Sequence, residues 1–252
     1  MSLERTNLSA IATAGFPQSP TTKMAAEPAG VKIPAWKRAL DLACVFLILP
    51  GLLPLLVVIA VIIKLTSPGP IFFKQERIGF RRKPFLCYKF RTMKAGADVQ
   101  VHQKHCEYLI QSNAPMTQMD AQGDPRLIPF ASVIRAMGLD ELPQIINVLL
   151  GDMSLVGPRP CTPYEFARYP ATCHPRFDTL PGLTGLWQVG GKNKTTFSEM
   201  MALDIRYAQN KTLWIDICII RLTFSILFEQ LRESGLDSYN TRASADKITV
   251  AD

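Results

Sequence analysis

The chain has 252 residues, with 28 Lys and Arg against 21 Asp and Glu and a formal net charge of +7. That length supports a real core in one or two domains. The positive excess suits an anionic partner, whether nucleic acid, an acidic membrane surface or a phosphorylated substrate. The six cysteines are scattered with no CxxC pair, which argues against a disulfide framework and for a reduced setting.

In chain order, residues 1–35 read as a disordered tail rich in Ser, Thr, Ala, Pro and Gly, with no signal peptide. Leu42–Ile63 is a run of 22 residues without a charge, long enough for a helix to span a bilayer. Pro50 and Pro54 fall near its middle, each removing a backbone donor. Basic residues flank both ends: Lys32, Lys37 and Arg38 before it, and Lys64, Lys74, Arg77, Arg81, Arg82 and Lys83 after it. The positive-inside rule wants asymmetry, so two basic flanks favour a helix that enters, breaks at the prolines and returns to the same face. Pro70–Phe90 reads as a β-hairpin turning at Gly79–Pro84. Helices are expected over 97–113, Phe130–Met137, Glu141–Leu150 (closed by Gly151), Thr162–Arg168, Phe197–Asn210 and Leu213–Arg232. Pro181–Gly191 reads as loop and turn, and the last residues as a flexible tail.

Asp140 and Glu141 are the first candidates for chemistry. Acidic residues at a helix start commonly accept orphan N–H bonds. The same pair can also supply a nucleophile beside a metal ligand or base. Arg159, between Pro158 and Pro160, suits phosphate, because the prolines stiffen the turn that carries a forked donor. Arg135 and Lys89 are further candidate diphosphate ligands. Asp204 sits in an amphipathic helix where an internal salt bridge is the plain alternative. His102, His105 and Cys106 form no site with zinc spacing. No nucleic-acid-reading motif appears, and the positive charge hugs the apolar segment, so nucleic acid is set aside as a partner.

Together these blocks resemble the bacterial sugar transferases, the small monotopic phosphoglycosyl transferases that act on polyprenyl phosphates. The matching blocks are Lys37-Arg38…Asp41, Pro54, Tyr88–Met93, Gly123–Arg126, Leu139–Gln144, Asn147–Leu149, Gly151–Pro160, Pro181–Val189, Asp204…Tyr207…Asn210 and Asp216-Ile217. The resemblance implies transfer of a sugar-1-phosphate from a UDP-sugar to undecaprenyl phosphate with release of UMP, as the first membrane step of exopolysaccharide or other glycoconjugate assembly. Glucose or galactose is the preferred sugar. It further implies Mg²⁺ at Asp140 and Glu141, and a covalent phosphosugar intermediate on Asp140. Phosphate or nucleotide contacts would come from Lys89, Arg135, Arg159 and Asp204. Lys192 would join them where the family often has arginine, and Phe130 stands where many members have glycine.

The expected architecture is α+β and mostly helical, a monotopic membrane protein at the cytoplasmic face of the bacterial inner membrane. Its expected parts are the tail, a re-entrant membrane helix broken at Pro50 and Pro54 (36–66), a cytosolic catalytic domain with a small β-hairpin (67–235) and a flexible end (236–252). The partners are the UDP-sugar, undecaprenyl phosphate and membrane lipid, and a homodimer is compatible with the sequence.

Overall fold

The structure, a computed structural model, describes residues 32–94, 100–116, 126–191, 195–229 and 232. Residues 1–31 of the expected 1–35 tail, the expected tail over 236–252, Gly123-Asp124-Pro125 and Lys192 lie outside these residues. The described chain is mostly helical, with two small two-stranded sheets.

Helix α1 runs from Ala35 to Thr66 with Pro50 and Pro54 inside it. The expected helix–break–helix is therefore corrected to one continuous helix. A proline's fixed φ is itself helical, so its cost falls on one lost donor and a clash with the preceding turn. The carbonyls that lose a partner are those four residues earlier, on Phe46 and Pro50. The helix has a mean hydropathy of 3.0 over its most apolar 18 residues. Its middle faces away from the protein, with Phe46 63%, Leu47 81%, Val57 54% and Val58 54% exposed.

Both ends of α1 pack on the same body. Val45 joins a core with Cys87, Val148, Leu155, Val156, Tyr207 and Ile219. Ile59 and Ile63 join a second core with Phe90, Ile128, Ala131 and Ile134. Cys87 and Phe90 lie on one strand, so the two cores share it. Polar ties reinforce the N-terminal end. Lys37 is fully buried and its ammonium donates to Val156 O at 2.8 Å, Tyr207 Oη at 2.8 Å and Asp216 Oδ2 at 2.6 Å, which uses all three of its donors. Arg38 donates to the carbonyls of Val148 and Leu149. Asp41 accepts from Ser154 Oγ and Leu155 N, both at 2.9 Å.

The hairpin is present as expected. Strands β1 (Phe72–Ile78) and β2 (Pro84–Phe90) are antiparallel, with Lys74 opposite Tyr88 and Arg77 opposite Phe85. Helix α2 spans Gln100–Ser112 and α3 spans Ala131–Ala136. Phe130, at the N-cap of α3, has φ +64°, a left-handed conformation that costs a residue with a Cβ about 1–2 kcal/mol. A glycine-type turn is thus retained without the glycine. The helix expected over Glu141–Leu150 begins earlier and has two parts, a 3₁₀ helix at Leu139–Gln144 and α4 at Ile145–Leu150. Gly151, at φ +91°, ends it as expected.

The sequence reading missed a parallel pair, β3 (Ser154–Val156) with β4 (Gly182–Thr184). The expected loop at Pro181–Gly191 is corrected to this strand followed by the short helix α6 (Leu186–Val189). Between the strands lie α5 (Pro163–Phe166), capped by Thr162 and Glu165, and a 3₁₀ helix at Ala171–Phe177. Helix α7 (Phe197–Asn210) opens with a Thr196–Glu199 capping box. Residues 213–229 form α8.

Candidate active site

Gly138, in the left-handed region at φ +67°, starts the 3₁₀ helix, and no side chain caps it. Asp140 and Glu141 are therefore not used as helix caps. Glu141 lines a narrow open cleft with Arg77, Cys87, Lys89, Gln144 and Arg159. Its Oε1 takes Lys89 Nζ at 2.7 Å and Arg159 Nη2 at 3.4 Å.

Asp140 stands beside it, half-buried. Burial pushes its carboxyl above the ordinary value; Lys89 pulls it down, Glu141 pushes it up, and Arg135 and Arg159 pull it down. Of the sequence-predicted residues, Lys89, Glu141 and Arg159 share the cleft, while Asp140 and Arg135 lie outside its lining but near enough for their charges to act on one another. Arg135 lies in the last turn of α3, and its Nη1 donates to Thr92 Oγ1 at 3.3 Å.

Lys89 is set by β2 and by Asn147. The buried Asn147 amide donates to Leu86 O at 2.7 Å and accepts from Tyr88 N at 3.0 Å. It acts as a strand partner of β2, fixing where Lys89 meets the 3₁₀ helix. Arg159 leaves the segment after β3, and its side chain is 32% exposed. Glu141 holds its guanidinium protonated, above the ordinary arginine value, against an opposing effect of burial.

Asp204 is corrected. It is 1% exposed and pairs with Arg176 Nη2 at 2.5 Å, so it does not line the cleft. A buried carboxylate needs such a partner, and the salt-bridge alternative is the one realised. Arg77 and Gln144 line the cleft but carried no sequence signal beyond a lone basic or amide side chain.

Among the described residues no group of three His, Cys, Asp or Glu could hold a metal alone. Two adjacent carboxylates, one of them desolvated, still suit a divalent ion that takes its remaining ligands from phosphate oxygens and water. Asp140 and Glu141 would be its protein ligands.

The family model for bacterial sugar transferases matches residues 33–230. The exopolysaccharide production protein ExoY of Sinorhizobium fredii is 36% identical over 184 residues, 73% of this chain and 81% of that protein. A UDP-glucose:undecaprenyl-phosphate glucose-1-phosphate transferase of Caulobacter vibrioides is 40% identical over 196 residues, 74% of this chain and 67% of its own length. An undecaprenyl-phosphate galactose phosphotransferase of Salmonella typhimurium is 37% identical over 206 residues, 79% of this chain but 41% of that protein.

Proposed function

The chain belongs to the bacterial sugar transferase family, and from that premise we propose that it moves a sugar-1-phosphate from a UDP-sugar to undecaprenyl phosphate, releasing UMP, at a membrane surface. The names of the Caulobacter and Salmonella relatives support that pair of substrates. The ExoY relative supports a place in exopolysaccharide production. The observation that carries the reading is the meeting of Lys89 and Arg159 on Glu141, beside the desolvated Asp140.

The Asp140 carboxylate attacks the sugar-proximal phosphorus, forming an aspartyl phosphosugar and breaking the bond to UMP. The phosphate of the lipid then displaces the aspartate. Partial burial raises the Asp140 pKa, and Lys89, Arg135 and Arg159 oppose that rise by favouring the ionised form, which is the one that attacks. Lys89 and Arg159 exchange Glu141 for phosphate oxygens as the diphosphate enters, offsetting charge on the leaving group. Mg²⁺ at Asp140 and Glu141, when bound, neutralises diphosphate charge.

The apolar α1 brings the site to the acceptor. Both of its ends pack on one domain, which supports a helix that dips into the cytoplasmic face of the inner membrane and returns. The proline pair favours the bend this needs.

The test is UMP release from a panel of UDP-sugars with undecaprenyl phosphate and Mg²⁺, repeated with EDTA. Release with UDP-glucose or UDP-galactose that EDTA abolishes and Mg²⁺ restores is expected. No release with any sugar refutes the reading.

A further inference from the structure

Arg159 sits in a segment whose backbone is clamped from outside. Pro158 O accepts from Gly182 N at 2.9 Å, Arg159 O from Arg176 Nη2 at 2.9 Å, Pro160 O from Arg77 Nη1 at 3.0 Å and Cys161 O from Ile78 N at 2.8 Å. Four successive carbonyls thus take donors from β4, the Ala171–Phe177 helix and β1. Pro158 and Pro160 have no N–H, so at those two positions the backbone can be anchored only through its carbonyl. Two of the four donors are buried guanidiniums, Arg77 at 7% and Arg176 at 2% exposed.

Arg176 makes its contacts from one atom. Nη2 donates both to Arg159 O and to Asp204 Oδ2, while Nε and Nη1 make no protein hydrogen bond. Asp204 holds the charge that burial would otherwise penalise, and so keeps Nη2 aimed at the Arg159 carbonyl. Neither Arg176 nor Asp204 lines the cleft that holds Glu141.

We propose that Arg176, anchored by Asp204, and Arg77 are positioning residues that set the Arg159 guanidinium through the carbonyls of Arg159 and Pro160. The inference rests on Arg159 binding phosphate in the proposed reaction. A displacement near 1 Å of a positioned group can cost about 10²-fold in rate, so the clamp acts on turnover more than on substrate affinity.

The test is a double-mutant cycle on UMP release, using the UDP-sugar the wild-type enzyme turns over and undecaprenyl phosphate. Arg176→Met is expected to lower kcat about 10²-fold, with a change in the KM for UDP-sugar under about threefold. In an Arg159→Ala background the same change is expected to cost under about threefold, because nothing remains to be positioned. Loss of folded enzyme would instead scale both backgrounds equally. Arg176→Lys is expected to retain most activity, since one ammonium can make both bonds that Nη2 makes. If Arg176→Met does not fold, Arg77→Met is run through the same cycle, with the same coupling expected. Equal losses in both backgrounds overturn the clamp. Absence of UMP from the wild-type enzyme with every UDP-sugar overturns the functional reading instead.

Discussion

Replacing Lys37 by methionine removes three hydrogen bonds and one ion pair from a fully buried position. Methionine fills a similar volume, so the cost is electrostatic. Asp216, itself fully buried, would keep its bond from Tyr207 Oη at 2.7 Å but lose its counter-charge. Breaking a buried pair from one side costs about 3–5 kcal/mol. At roughly 2–4 °C per kcal/mol for a chain of this size, the purified protein in detergent should melt about 6–20 °C lower. The double variant Lys37→Met/Asp216→Leu should recover a large part of that loss, because replacing both partners by apolar groups is often near neutral. Unfolding followed by circular dichroism reads both values. A single variant within about 2 °C of wild type, or a double variant that loses the sum of both single changes, refutes the claim that this pair ties α1 to the domain.

Other consequences follow from the same geometry. Asp140→Asn should end turnover yet raise the melting temperature at neutral pH. The raised folded-state pKa means ionisation of Asp140 opposes folding, so wild-type stability falls as pH rises from the ordinary 3.8 through the higher folded value. A thermal-shift comparison in which Asp140→Asn melts lower than wild type contradicts this. Lys89→Met should move the acid limb of the kcat/KM profile to higher pH, because Lys89 is the strongest of the charges that lower the Asp140 pKa. An unmoved limb counts against Asp140 as the titrating group. Phe130→Gly should stabilise by about 1 kcal/mol, since a 62% exposed side chain loses little packing and the left-handed strain is relieved. An unchanged or lower midpoint in chemical denaturation speaks against strain at Phe130.

Local pattern made the hairpin, α2, α7 and α8 legible, because aromatic and branched residues flanking the Gly79–Pro84 turn and helical spacing over Phe197–Asn210 need no distant partner. The charged part of the site was legible for a similar reason. Asp140, Glu141, Arg135 and Arg159 fall within 25 residues, where short elements bring them together. Strands β3 and β4 were not legible, since three-residue strands beside Gly157 and Gly182 offer no alternation to read. Pairings across long separations were hidden too. Nothing near Asp204 announces Arg176, 28 residues away, and nothing near Lys37 announces Asp216, 179 residues away. Both pairs exist because burial forces a charge to find a partner. The prolines of α1 misled in a different way. Proline weakens a helix without forcing its dihedral out of the helical range, so two prolines alone do not make the expected break.

The covalent step is the central claim, and incubation with UDP-sugar and Mg²⁺ in the absence of undecaprenyl phosphate tests it most directly. About one UMP per enzyme should appear at once, with a phosphosugar mass added to the peptide that contains Asp140. No UMP and no added mass until the lipid acceptor is supplied would contradict the two-step account.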